Sequence, residues 1–233
     1  MCTVTYLSLG NNDFILTSNR DEDPKRKTIS PTFYDENGAK LIYPKDEIAG
    51  GTWIGLSDKK RLVCLLNGGF TIHEREVSYK MSRGIIVKKL LTVENGVDFI
   101  SNFDFNGIEP FTIIYLDWKQ DLKTYELVWD GDTRHFSELD KKPKIWSSST
   151  LYSDEMKEIR KNWFKDWLKN QQEFQQSEIV KFHQTENENS EIALKMKRAY
   201  VGTISITSVN KNGKYIGMEY LDLVTNKITQ VSL

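Results

Sequence analysis

Residues 3–9 and 14–18 each read as a β-strand, and Gly10-Asn11-Asn12-Asp13 between them is turn chemistry. The chain therefore opens as a tight hairpin, and this hairpin limits what can be built around it. Directly behind the initiator methionine stands a cysteine, small enough for that methionine to be trimmed. Trimming would leave Cys2 with a thiol and a free α-amine, a nucleophile packaged with its own base. With the turn centred on Asn11-Asn12, paired positions sum to 23 and Cys2 faces Asp21 across the ladder. Side chains so paired lie about 5 Å apart. Asn19 and Val4 share that face, and Arg20 points the other way unless the chain bends after Ser18. A slip of one residue would undo each of these assignments.

The rest of the chain continues in short, punctuated elements. Residues 23–30 are charged and polar and read as an exposed loop, and 31–49 hold few apolar residues and read as a loop toward the site mouth. Gly50-Gly51-Thr52-Trp53-Ile54-Gly55-Leu56 begins a strand, and 61–66 returns as a buried strand ending at Asn67-Gly68-Gly69. Where a strand ends in glycine, backbone and a short amide can approach a ligand closely. Residues 82–103 have helical spacing, broken at Glu94-Asn95-Gly96. Strands are expected again at 111–118, 123–129, 133–139 and 145–150, followed by a helix over 153–170. The polar stretch 171–191 is open between a second helix and a partly mobile loop. The last strands are 199–209, 214–223 and 227–232. Strands and helices segregated in this way read as α+β with mainly antiparallel sheet.

The 233 residues suffice for one substantial core, so a single domain over 1–233 is expected. A formal net charge of −1, with acids and bases interspersed, leaves no footprint for nucleic acid or an anionic membrane. It also suits self-association, so a homo-oligomer is compatible with the sequence. No apolar run approaches a membrane span, and the amino terminus reads as a patterned strand rather than a leader. Two cysteines, Cys2 and Cys64, cannot make a disulfide framework, which points to a reducing, cytoplasmic compartment, and the absence of a visible targeting signal makes a bacterial, cytosolic protein the expectation. His73, His135 and His183 lack metal-ligand spacing, and no phosphate-loop pattern occurs, so neither metal nor cofactor is expected.

Met1-Cys2-Thr3 followed at this distance by Asn19-Arg20-Asp21-Glu22 resembles the NRDE family, the transport and Golgi organisation protein 2 family. The resemblance extends through Gly50–Gly55, Leu66–Gly69, Ser82-Arg83-Gly84, Pro110-Phe111-Thr112, Trp146–Tyr152 and Gly202-Thr203. That family is similar in turn to the N-terminal-nucleophile hydrolases, in particular the bile-salt hydrolase and penicillin V acylase group. The resemblance implies an αββα sandwich, two mainly antiparallel sheets between helix layers.

It also implies roles. Cys2 would attack an amide carbonyl, its α-amine taking and returning the proton. Asp21 would orient that amine or thiol, although composition alone equally allows a carboxylate at a turn edge. Asn67 matches the asparagine that supplies an oxyanion-hole amide, a donor worth about 3 kcal/mol of barrier. Asn19, Arg20, Trp53 and Gly68 are expected to contact the ligand, with Trp53 as a pocket wall. Cys64, between Val63 and Leu65, belongs to the core. Arg83 at a helix start opposes the dipole, which suits a carboxylate partner or a surface contact.

Three positions depart from the hydrolase pattern. Ser18 stands where that group has an arginine, the Ser147-Ser148-Ser149 run lacks an expected amide, and Ile204 replaces a late arginine, with Arg198 nearby. The expected function is an amidohydrolase cleaving a non-peptide C–N bond of a small acylated substrate. The alternative is a non-catalytic carrier of a lipid-like or haem-like hydrophobic ligand, in keeping with the family's association with secretory organisation, lipid metabolism and haem handling.

Overall fold

The computed structural model describes residues 3–233. Among these, the chain runs through strands β1 (Thr3–Gly10), β2 (Asp13–Glu22), β3 (Thr28–Glu36), β4 (Ala39–Asp46), β5 (Ile54–Ser57) and β6 (Arg61–Asn67). Helices α1 (Arg83–Thr92) and α2 (Gly96–Asn102) follow. Next come strands β7 (Phe111–Asp117), β8 (Lys123–Trp129), β9 (Arg134–Leu139) and β10 (Lys144–Ser147). Helices α3 (Asp154–Lys169) and α4 (Gln176–His183) precede β11 (Gly202–Asn212), β12 (Tyr215–Asp222) and β13 (Lys227–Ser232). Two compact units result, one from residues up to 26 with 141–232, the other from 27–140.

The first unit holds an antiparallel sheet in the order β10-β1-β2-β11-β12-β13. Asn11 (φ 48°) and Asn12 (φ 67°) are both left-handed, the backbone that a two-residue hairpin turn of matching twist requires. Gly10 has φ 81° and pairs with Asp13, but the register shifts before it and Ser8 pairs with Phe14. Leu9 is thus the extra residue of a bulge, made possible by a glycine that tolerates positive φ. The consequence corrects the expected register. Thr3 faces Asn19 and Val4 faces Ser18, rather than Val4 facing Asn19.

Alternation then puts Thr3, Thr5, Leu7, Ile15, Thr17 and Asn19 on one sheet face. Leu7 and Ile15 from that face join Phe164 of α3 and Ile179 and Phe182 of α4 in one core cluster. Ser153 caps α3 by accepting from the Met156 N–H, and Asp154 and Glu155 occupy the dipole-favoured first turn. The stretch 171–191 contains a helix, α4, whose Ile179, Val180, Phe182 and His183 are buried.

In the second unit the sheet order is β3-β4-β5-β6-β7-β8-β9, again antiparallel throughout. Here the loops expected over 23–30 and 31–49 give way over residues 28–46, because β3 and β4 form a hairpin. Its turn is Asn37-Gly38, with φ 47° and 73°, a strong short-range hairpin signal. β3 lies at the sheet edge and is largely exposed, so it lacks the apolar alternation of a buried strand. Pro31 falls inside its register break between Ile29 and Thr32, where a missing N–H costs no ladder bond.

Two glycine motifs of this unit meet each other. A Cβ at Gly84, in the first turn of α1, would lie 2.9 Å from both the nitrogen and the oxygen of Thr52. One at Gly51 would lie 3.0 Å from the Gly84 carbonyl carbon. Only bare backbone lets the segment before β5 and the start of α1 approach this closely.

Candidate functional site

Asp21, near the end of β2, is buried at 3% exposure with both carboxylate oxygens engaged. The Tyr152 hydroxyl donates to Oδ2 at 2.7 Å, and the Thr203 hydroxyl donates to Oδ1 at 2.6 Å. Thr203 is placed by the β2–β11 ladder, where it pairs with Asp21, and its oxygen accepts from the Met196 N–H at 2.9 Å. Tyr152 ends the short segment between β10 and the Ser153 cap of α3. A buried carboxylate held by two hydroxyls has a fixed direction, which is what an orienting group needs.

Behind Tyr152 lies Arg160 of α3, fully buried. Its guanidinium stacks on the Tyr152 ring with 3.5 Å to the centroid. Nη1 donates to Thr3 Oγ1 at 2.7 Å and Nε donates to the Ile192 carbonyl at 3.0 Å, while Nη2 donates to the Ala193 carbonyl. Among the described residues Arg160 makes no ion pair, so carbonyls, a hydroxyl and a ring face offset its desolvation.

Asn19 is spent on structure. Its Nδ2 donates to the carbonyls of His183 (3.1 Å) and Leu194 (2.8 Å), and its Oδ1 lies 2.6 Å from His183 Nδ1. The two donations fix the amide's orientation, so His183 must carry its proton on Nδ1. Nε2 then accepts from the Thr5 hydroxyl at 2.8 Å. Burial, with a smaller contribution from Arg160, pushes the imidazole down to about 3, so it is neutral. The expected ligand contact at Asn19 is thus a tie between β2, α4 and the segment after it.

The remaining expected residues are placed as follows. Cys2 lies outside the described residues, as does its pairing with Asp21. Arg20 is buried on the opposite face of β2 from Asn19 and Asp21, pairs with Ser205, and reaches the Arg26 carbonyl at 3.4 Å. Trp53, Asn67 and Gly68 belong to the second unit. Trp53 is 4% exposed, and its carbonyl accepts from the Leu65 N–H at 2.7 Å. Asn67 is half-buried at the end of β6, opposite Phe111. Gly68 follows at φ 86°, its N–H donating to the Pro110 carbonyl at 3.0 Å and its own carbonyl accepting from Thr112 Oγ1 at 3.0 Å. The structure brings Asn19 and Asp21 onto one face of the first unit, and it holds Asn67-Gly68 beside Pro110 in the second. Arg83 has found a carboxylate partner, Glu109, at 3.0 Å.

The departures from the hydrolase pattern also have places. Ser18 is fully buried opposite Thr207. Ser147 pairs with Thr3 across β10 and β1, so the serine run begins beside the start of β1. Ile204 is the unpaired residue of a second register break, between Thr203 and Ser205. Arg198 donates to the Leu151 carbonyl at 2.9 Å and stands 5.4 Å from the Tyr152 ring centroid, two steps from Asp21. Among the described residues no cluster of histidine, cysteine and carboxylate could hold a metal ion.

Sequence reasoning gave no role to Tyr152, Thr203, Arg160 or His183. Tyr152 and Thr203 stood inside quoted motifs, and only the folded register joins them to Asp21. Arg160 had a local signal: it falls between Met156 and Phe164 at four-residue spacing, a charge on the inward stripe of a helix.

The fold is similar to that of solved N-terminal-nucleophile hydrolases. A conjugated bile acid hydrolase from Clostridium perfringens, solved as one variant, has a TM-score of 0.61 and 8% identity, covering 99% of this chain and 92% of that one. The Caenorhabditis elegans N-acylethanolamine-hydrolyzing acid amidase ortholog gives 0.60 at 14% identity, covering 89% and 92%. Penicillin V acylase from Agrobacterium tumefaciens gives 0.53 at 10%, covering 100% and 86%. These likenesses show the fold: α+β, with two antiparallel sheets and their helices. The family profile for transport and Golgi organisation 2 matches residues 1–216, and the chain belongs to that family. No curated protein matches it in sequence.

Proposed function

We propose that this protein is an N-terminal-cysteine amidohydrolase acting on the C–N bond of a small acylated substrate. The observation that carries the reading is Asp21: a buried carboxylate, fixed by Tyr152 and Thr203, two residues beyond the Asn19 that pairs with Thr3. The hairpin register found does not itself carry the pairing with Cys2; the family resemblance makes this carboxylate the group that would orient the α-amine or thiol. Structural neighbours named as a conjugated bile acid hydrolase, an acid amidase and an acylase support the same reaction class.

In this mechanism the α-amine takes the thiol proton and the thiolate attacks the substrate carbonyl carbon. Asn67 donates to the developing oxyanion. The C–N bond then breaks, the α-ammonium gives its proton to the leaving amine, and a thioester remains on Cys2. Water attacks the thioester, the α-amine takes its proton and returns it to the sulfur, and the acid leaves.

The test is amine release from a panel of N-acyl amino acids and N-acylethanolamines by the wild type, Cys2→Ala and Asp21→Asn. Release by the wild type, its loss in Cys2→Ala and a roughly hundredfold fall in Asp21→Asn are expected. Undiminished release by Cys2→Ala would refute the mechanism. Ligand retention without turnover, equal in wild type and Asp21→Asn, would establish a carrier instead.

A further inference from the structure

Resting on that reading, we infer that Arg160 and Tyr152 form a buried positioning device which sets the nucleophile-bearing end of β1 and the Asp21 carboxylate relative to one another. One guanidinium makes both connections. Toward the amino terminus it donates to Thr3 Oγ1 at 2.7 Å, and Thr3 is the residue directly after Cys2. Toward the carboxylate it stacks at 3.5 Å from the centroid of Tyr152, whose hydroxyl donates to Asp21 Oδ2 at 2.7 Å.

The chemistry of each link favours rigidity. A planar guanidinium has few orientations open to it once Nε and Nη2 are committed to the carbonyls of Ile192 and Ala193. Those carbonyls therefore fix Arg160, and Arg160 fixes Thr3. A cation over the ring face also draws electron density from the phenol, so the hydroxyl donates more strongly to a carboxylate. Arg198, 5.4 Å from the same ring centroid, adds to this field. A full charge buried in a fold is costly, and an apolar residue on the inward stripe of α3 would serve packing alone. What Arg160 supplies beyond packing is the connection between two chain segments that the reaction requires in register. Neither residue needs to touch substrate.

The experiment measures the rate of Cys2 alkylation by iodoacetamide across pH, with thermal unfolding recorded in parallel. The variants are Tyr152→Phe, Thr3→Val, Asp21→Asn and the Tyr152→Phe/Asp21→Asn double. Tyr152→Phe keeps the ring on Arg160, and Thr3→Val keeps the shape of the side chain, so both are expected to fold. Loss of one hydrogen bond to a charged group corresponds to roughly a tenfold fall in rate for Tyr152→Phe. Thr3→Val is expected to fall several-fold. The pH profile of Tyr152→Phe should move toward that of Asp21→Asn, and the double variant should react no more slowly than Asp21→Asn alone. Wild-type rates in Tyr152→Phe or Thr3→Val, with Asp21→Asn impaired, would overturn this inference and leave the hydrolase reading standing. An equal loss from Tyr152→Phe in the Asp21→Asn background would overturn it too, as a general structural effect. Unlabelled wild-type Cys2, or an unimpaired Asp21→Asn, would overturn the hydrolase reading and this inference with it.

Discussion

Asn19 shows how a residue in a family signature can be committed to holding the chain together. Its amide satisfies two carbonyls and the Nδ1–H of a fully buried histidine, groups that have no access to water. Asn19→Leu keeps the volume and removes every one of these partners. Each unsatisfied buried group costs about 1–3 kcal/mol, so a loss of roughly 3 kcal/mol or more is expected in urea unfolding at neutral pH. A change under 1 kcal/mol would show that the network is dispensable. The sequence could flag Asn19 and Asp21 together, because both lie in one tetrad. It could not separate their roles, since the partners that do so, His183, Leu194, Tyr152 and Thr203, are more than a hundred residues away along the chain.

At the scale of elements, turn chemistry was the readable part. Asn11-Asn12 centred the first hairpin as its composition implied, yet the glycine beside it inserted Leu9 and moved the register by one. A bulge of this kind depends on the backbone angle Gly10 adopts, which composition permits but does not dictate. The β3–β4 hairpin was missed for a different reason: an exposed edge strand has no apolar face to show, and its Asn37-Gly38 turn was the sole local cue. Gly51 and Gly84, one from each of two glycine motifs, turned out to serve contact between segments. Gly84→Ala should therefore destabilise by about 1–3 kcal/mol, because its Cβ would meet the backbone of Thr52, which cannot rotate away. A thermal unfolding midpoint unchanged from wild type would contradict that packing argument.

For the whole molecule, the antiparallel α+β class followed from the order of strand-like and helix-like segments, and the likeness to the hydrolase fold followed from the family resemblance. Stability as a function of pH should carry the mark of His183. Its folded value, about 3, lies below the ordinary 6.5, so between these limits the unfolded chain binds one proton more than the folded one. Stability from this group is complete above pH 6.5 and is lost as pH falls toward 3, by about 1.4 kcal/mol per unit at most. Urea midpoints measured from pH 7 to 5 should fall more steeply for the wild type than for His183→Gln. Parallel slopes would mean that the imidazole does not stay neutral in the fold.

The most direct test of the central claim is intact mass before and after brief treatment with stoichiometric iodoacetamide at neutral pH. The account predicts a chain lacking Met1 that takes one adduct, mapped to Cys2, while Cys64, buried at 0% exposure, stays unmodified. It also predicts that Asp21→Asn slows this labelling strongly. Retention of Met1 would remove the α-amine from Cys2, and labelling indifferent to Asp21 would remove its orienting partner; either result contradicts the N-terminal-nucleophile account.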